Sequence, residues 1–195
     1  MFLLGSRVDD KVRRILRAQT RARFSYEGVG RTLTLLPGDR EMHRGQFPLG
    51  EGSLVFYRAK DAVRQWRMFD IPWIRLCWPD TPVKPGSTVA VLAGIFGIWM
   101  VNLCRIVYVI DEPRRFGFAY GTLAMHAEGG EERFVVEWRE DNSVWYEVLA
   151  FSRENHWLVK IAPAIARRVQ KKFRRESGLA MQKASTIGNT GALRT

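Results

Sequence analysis

Residues 115–153 read RFGFAYGTLAMHAEGGEERFVVEWREDNSVWYEVLAFSR, and this stretch decides the fold. Arg115–Ala124 is aromatic with small residues between. In Glu132–Arg139, Phe134, Val136 and Trp138 alternate with Arg133, Glu137 and Arg139, and Val144–Ser152 is again aromatic and β-branched. Alternation at period two marks strands with two distinct faces. Glu128-Gly129-Gly130 and Asp141-Asn142-Ser143 have the composition of hairpin turns. Three consecutive antiparallel strands are expected.

Upstream, Val89–Ile110 is a long apolar run whose single charge is Arg105. Its length equals a bilayer span. Gly94, Gly97 and Asn102 interrupt it, and Val, Ile, Tyr and Trp dominate its second half, so two strands near 87–93 and 98–110 are the better reading. Before it, Val55, Ala59, Ala62, Val63, Trp66 and Phe69 recur at helical spacing, with Ser53 as N-cap and Pro72 as the end. Trp73–Trp78 is a short apolar segment, and Pro82–Gly86 a turn. Arg31–Leu36 reads as a first strand stopped by Pro37-Gly38, followed by a polar Gly-rich loop through Gly50 and Gly52. Downstream, Trp157, Leu158, Ile161, Ala162, Ile165, Val169 and Phe173 give a helix with Asn155 as cap, Pro163 near its start and Gly178 as its stop. Residues 7–23 form a basic amphipathic helix with Val8, Val12, Ile15 and Leu16 on one face. The expected division is a basic N-terminal helix over 1–23, one α+β domain over 24–177 and a flexible tail over 178–195.

A chain of 195 residues with 46% hydrophobic content fits one domain burying about 70% of its unfolded surface. The net charge of +11 is concentrated at the ends. Residues 1–23 carry seven basic and two acidic residues, and 155–195 nine basic and one acidic, against 15 basic and 17 acidic between. Nucleic-acid binding is disfavoured, because the terminal charge lacks interleaved aromatics. An anionic membrane surface or an acidic protein remains a candidate partner for the basic termini. Cys77 and Cys104 alone make no disulfide framework, and the N-terminus lacks a secretory pattern, so a cytoplasmic location is expected.

Several separated motifs then converge: Phe24-Ser-Tyr26, Leu49-Gly50-x-Gly52, Trp66 with Met68-Phe69 and Trp73, Arg105-Ile-Val-Tyr-Val109, Phe116-Gly117, Tyr120-Gly-Thr-Leu123, His126, Gly130-Glu-Glu132-x-Phe134, Val144-Trp-Tyr146 and Phe151-Ser152. Over about 24–175 the chain resembles the uncharacterised family called domain of unknown function 1990, or uncharacterised protein family 0548. That resemblance implies a soluble bacterial and plant domain and brings no catalytic residues or cofactor. The element order also resembles the helix-grip fold of START and Bet v 1 proteins, a curved antiparallel sheet wrapped on a long C-terminal helix over an apolar cavity. An open α+β sandwich is the alternative.

On 115–123, Gly117, Ala119 and Gly121 share one face, bare enough for a helix or a ligand to approach closely. Trp145, Glu147, Leu149 and Phe151 share a face, as do Val101, Leu103, Arg105 and Val107. A charge in such a row must be paired or reach water, and Arg105 with Glu147 is one expected pair. The function expected is binding of a hydrophobic small molecule, lined by Trp99, Tyr120, Thr122, Trp145, Phe151 and Trp157 and anchored by Arg105 and Glu147. The alternative is acid–base chemistry of a cyclase or dehydratase type on His126 and Glu132. The acidic cluster around His126 is too sparse for a metal site. The same cluster also reads as a satisfied turn, a Glu carboxylate accepting backbone N–H groups.

Overall fold

The structure, a computed structural model, describes residues 2–3, 8–19, 22–34, 42–95, 98–123, 129–153 and 163–186. In chain order the elements are β1 (Phe2–Leu3), α1 (Val8–Ala18), β2 (Met42–Glu51), α2 (Gly52–Arg64), β3 (Ile74–Cys77), β4 (Thr88–Ile95), β5 (Ile98–Glu112), β6 (Arg115–Thr122), β7 (Gly129–Trp138), β8 (Ser143–Arg153) and α3 (Pro163–Thr186). Seven strands form one antiparallel sheet in the order β2-β8-β7-β6-β5-β4-β3, and β1 pairs with β5 beside it. The strands read from 115–153 are the meander β6-β7-β8 at its middle.

Strand alternation assigns the two faces. Phe116, Phe118, Tyr120, Phe134, Val136, Val144, Tyr146 and Val148 point to the side covered by α2 and α3. There they pack with Phe56, Ala59, Val63, Trp66, Met68, Phe69 and Met181. The other face carries a smaller core in which Val12, Ile15 and Leu16 of α1 meet Ala90, Leu92, Val101, Leu103 and Leu123. Both cysteines are buried and unbridged. Val89–Ile110 is the β4–β5 pair, and no helix among the described residues is long and apolar enough to cross a membrane.

Several expectations are corrected. Arg31–Leu33 is a 3-10 turn and not a strand, because the backbone N–H groups of Gly30 and Thr32 are taken by the Glu131 carboxylate. The expected Gly-rich loop contains β2, with Pro48 and Gly50 tolerated because β2 is an edge strand whose register shifts between them. Gly129 and Gly130 lie in β7, paired with Arg153 and Ser152, so they are not the hairpin turn. Asn142 does adopt the left-handed conformation, φ 71°, expected of the second turn.

Gly178 does not end α3, which runs on to Thr186. A Cβ at this position would overlap the Phe47 ring of β2, so the glycine serves a close helix–sheet approach. Gly178→Ala therefore sets two effects against each other. Helix propensity gains about 1 kcal/mol. Displacing Phe47, which also packs on Tyr146 at 6.4 Å, costs about 1–3 kcal/mol. We expect a net loss of about 1 kcal/mol in urea unfolding; a stabilised variant would show that the ring yields freely.

Candidate functional site

The register places Ile106, Tyr120, Glu132, Ala150 and His43 in one row across β5, β6, β7, β8 and β2. Side chains paired across antiparallel strands point to the same side. This row therefore faces the helices. Most of the face is apolar: Phe69, Phe134 and Phe173 pack ring on ring, Phe118 packs on Phe134, and Phe69 stacks on Tyr120 with centroids 6.2 Å apart. Within it, the Tyr120 hydroxyl donates to Glu132 Oε2 at 2.8 Å. Burial and the neighbouring Glu132 charge push the Tyr120 phenol well above its ordinary range, so it stays a proton donor. Burial also raises the Cys104 thiol, again helped by Glu132.

Helix α3 closes over this row from the β2 side, its Arg174 lying against Gly45 of β2. Burial lowers the Arg174 guanidinium pKa while Glu132 opposes the shift. His43 is lowered by burial and by the positive charges of Arg174 and Arg167. The concave face thus holds a phenol, a carboxylate, an imidazole and a guanidinium beside a wall of aromatic rings. Toward the β3 edge, an open cleft of about 500 Å³ is lined by Gln65, Trp66, Phe69, Ile71, Ile74 and Leu76, among others. Phe69 is shared between that cleft and the ring stack on Tyr120.

The opposite face is also charged but differently built. Glu131, 2% exposed, accepts the Tyr26 hydroxyl at 2.8 Å, Gly30 N–H at 2.7 Å, Thr32 N–H at 3.0 Å and the Thr32 hydroxyl. Beside it, Arg133 donates to Glu147 Oε1 at 2.6 Å and to the Thr32 carbonyl at 2.5 Å. Arg44 and Gln46 of the edge strand complete the shell of Glu147. These contacts clamp residues 24–34 across the sheet. Tyr26 lies over Gly121, where a Cβ would strike its phenol. The bare face of β6 is thus covered by the N-terminal segment, while α3 packs on the face opposite to it.

The side chains proposed from sequence as one lining divide between these two faces. Tyr120 and Glu132 face α3. Trp99 packs in the second core with α1. Trp145 lies under the Arg139 guanidinium, 4.5 Å from its ring centroid, with its indole N–H on Ser143. Phe151 meets Tyr26 and Arg31. Glu147 pairs with Arg133 and Arg44, not with Arg105. Arg105 instead donates to the carbonyls of Gln19 at 3.3 Å and Ala22 at 2.8 Å, just past the end of α1. That is a favourable place for a cation. Thr122 Oγ1 meets Ser25 Oγ at 2.6 Å and accepts Gly130 N–H. His126 and Trp157 lie outside the described residues. Arg133, Tyr26 and His43 are not expected at a site from sequence, and Glu131 only as a member of the acidic cluster around His126; the alternation of β7 places Glu131 and Arg133 on one face, but not what covers them.

An antiparallel sheet packed on a long C-terminal helix makes this a helix-grip fold. The chain belongs to the family described as Domain of unknown function (DUF1990), whose model matches residues 25–180. It is 38% identical over 148 residues to a UPF0548 protein of Dictyostelium discoideum, covering 70% of this chain and 68% of that one. It is 30% identical over 172 residues to UPF0548 protein At2g17695 of Arabidopsis thaliana, covering 81% and 83%. Among solved structures, hypothetical protein jhp0584 of Helicobacter pylori superposes with a TM-score of 0.60 at 10% identity, covering 84% of this chain and 99% of that one; this likeness shows the fold alone.

Proposed function

We propose that the protein binds a hydrophobic small molecule between α3 and the concave sheet face, with its polar head on Tyr120 and Glu132. The observation that carries this reading is the hydrogen-bonded phenol–carboxylate pair set in an otherwise aromatic wall, on the side the helix covers. Ligand sites combine such apolar walls with a few convergent polar groups. A carboxylate accepting from a tyrosine favours a ligand head that donates hydrogen bonds, an amine, amide or hydroxyl. Trp99, Trp145, Phe151, Arg105 and Glu147 are not part of this site, since they serve the opposite face.

Native mass spectrometry and displacement of an environment-sensitive dye from the full chain test the proposal. An apolar molecule should co-purify or displace the dye. Glu132→Gln should weaken binding by about tenfold, the scale of one charged hydrogen bond. Trp145→Ala, on the far face, should leave affinity unchanged. If no apolar ligand binds, or if Trp145→Ala weakens binding and Glu132→Gln does not, the assignment is wrong.

A further inference from the structure

Helix α3 carries seven basic side chains against a single carboxylate, Glu176. Among its described side chains the buried positions are Ser177, Gly178, Met181 and Ser185, so the helix turns that side to the sheet. Arg168, Lys171, Lys172, Arg175, Leu179 and Lys183 form the exposed stripe at three- and four-residue spacing. Among the described residues, only Lys172 of this stripe meets a carboxylate, Glu176 at 3.9 Å. Neighbouring α2 differs: Lys60 is paired with Asp111 and Arg64 with Asp61 and Asp111. Among the described residues of this helical layer, the unpaired positive charge is therefore concentrated on α3.

The same layer also exposes apolar bulk. Leu54 and Tyr57 on α2 and Leu179 on α3 are each at least half exposed. Gln182 of α3 donates to the Pro48 carbonyl, and Val55 of α2 packs against Gly50. The C-terminal half of α3 therefore lies beside the start of α2, which brings these three side chains to one end of the layer. Exposed apolar residues next to uncompensated basic ones fit a headgroup–acyl boundary, where insertion and charge attraction add. A nucleic acid would match the charge but leave Leu54 and Leu179 unexplained.

We propose that the outer face of α2 and α3 docks on an anionic lipid surface, Leu54, Tyr57 and Leu179 entering the boundary while Arg168, Lys171, Lys172 and Arg175 contact headgroups. Helix α1, also basic, packs on the opposite side of the sheet. One flat membrane cannot touch both, which makes α1 an internal control.

Sedimentation of the full chain with phosphatidylcholine vesicles containing about a third phosphatidylserine reads the contact directly. We expect pelleting that requires phosphatidylserine and falls as salt rises. Combined Arg168→Glu, Lys171→Glu and Arg175→Glu should lower partitioning by about a hundredfold or more, at roughly 1 kcal/mol per lost charge. Leu179→Ser should lower it by about tenfold. Arg13→Glu with Arg14→Glu on α1 should have no effect, and thermal unfolding confirms that all variants are folded. Binding to neutral vesicles alone, indifference to the α3 substitutions, loss on the α1 substitutions, or binding of RNA but not vesicles would each overturn the proposal.

Discussion

Glu131→Ala should lower unfolding stability by about 3–5 kcal/mol, a large part of the 5–15 kcal/mol that holds a typical domain together. The carboxylate is nearly fully buried and gathers the Tyr26 hydroxyl, the Gly30 and Thr32 N–H groups and the Thr32 hydroxyl. Alanine leaves two backbone donors and a phenol without an acceptor, and each orphaned buried donor costs about 1–3 kcal/mol. The Thr32 hydroxyl retains Tyr108 at 2.7 Å, so it adds little. Removing a buried carboxylate also relieves its own desolvation, which keeps the sum below a simple addition. Glu131→Gln preserves one acceptor oxygen but turns an NH2 group toward donors, so it should fall between the two. Urea unfolding supplies the magnitude, and hydrogen exchange locates it: amides of residues 24–34 should lose protection before those of β6–β8. A loss under about 1 kcal/mol would mean that the segment is held by Tyr26, Phe24 and Leu123 packing instead.

Much of the fold is legible in sequence because it rests on local periodicity. The meander β6–β8 has regular alternation and supplies the middle of the sheet. What periodicity misses is determined by partners distant in the chain. Pro48, Gly45 and Gly50 look like breakers, yet β2 forms because β8 offers a full edge to pair with. Thr32 and Thr34 favour a strand locally, but Glu131, about a hundred residues away, fixes a 3-10 turn there. Gly178 resembles a helix stop until Phe47 is placed against it.

The candidate site was obscured by a single residue of register. Between Ile106 and Tyr108 the β5–β6 pairing shifts, so Arg105 lies opposite Gly121. Without that extra residue, Arg105 would align with Thr122 and turn to the other face. The row beyond Gly121 then continues to Glu131 and Phe151, and Glu147 belongs four residues away along β8. Alternation within each strand groups residues by face, but a bulge decides which faces of neighbouring strands agree. The family motifs Phe24-Ser-Tyr26, Tyr120-Gly-Thr-Leu123 and Gly130-Glu-Glu132 meet where residues 24–32 cross the sheet: Phe24 bridges Leu123, Ser25 meets Thr122 and Tyr26 meets Glu131. Most of the motif builds the scaffold. Tyr120 and Glu132 are the members that look the other way.

Arg133→Met should cost about 3–5 kcal/mol near neutral pH, the range for removing one partner of a buried pair. Arg133 and Glu147 are only 8% and 9% exposed. Methionine fills much of the arginine volume, so the loss reports charge more than packing. Burial alone would push the Glu147 carboxyl up. The hydrogen bond and charge of Arg133, with Arg44 second, outweigh burial and hold it below the usual carboxylate range. A depressed carboxyl contributes stability that is fully present above its unfolded value, about 4.3, and is lost as pH falls through the folded value. Glu147→Gln should therefore flatten the acid limb of the stability curve below about pH 5. Arg133→Met acts in the opposite sense: with burial no longer outweighed, the carboxyl rises, and protonation relieves the stranded charge. The deficit of this variant relative to the parent protein should then be largest at neutral pH and shrink on acidification. Adding Glu147→Leu to Arg133→Met removes that charge and should recover part of the stability at pH 7. Urea midpoints for the four proteins between about pH 3 and 8 decide the matter. A deficit independent of pH, with no recovery in the double variant, would locate the contribution of Arg133 in its bond to the Thr32 carbonyl and not in the ion pair.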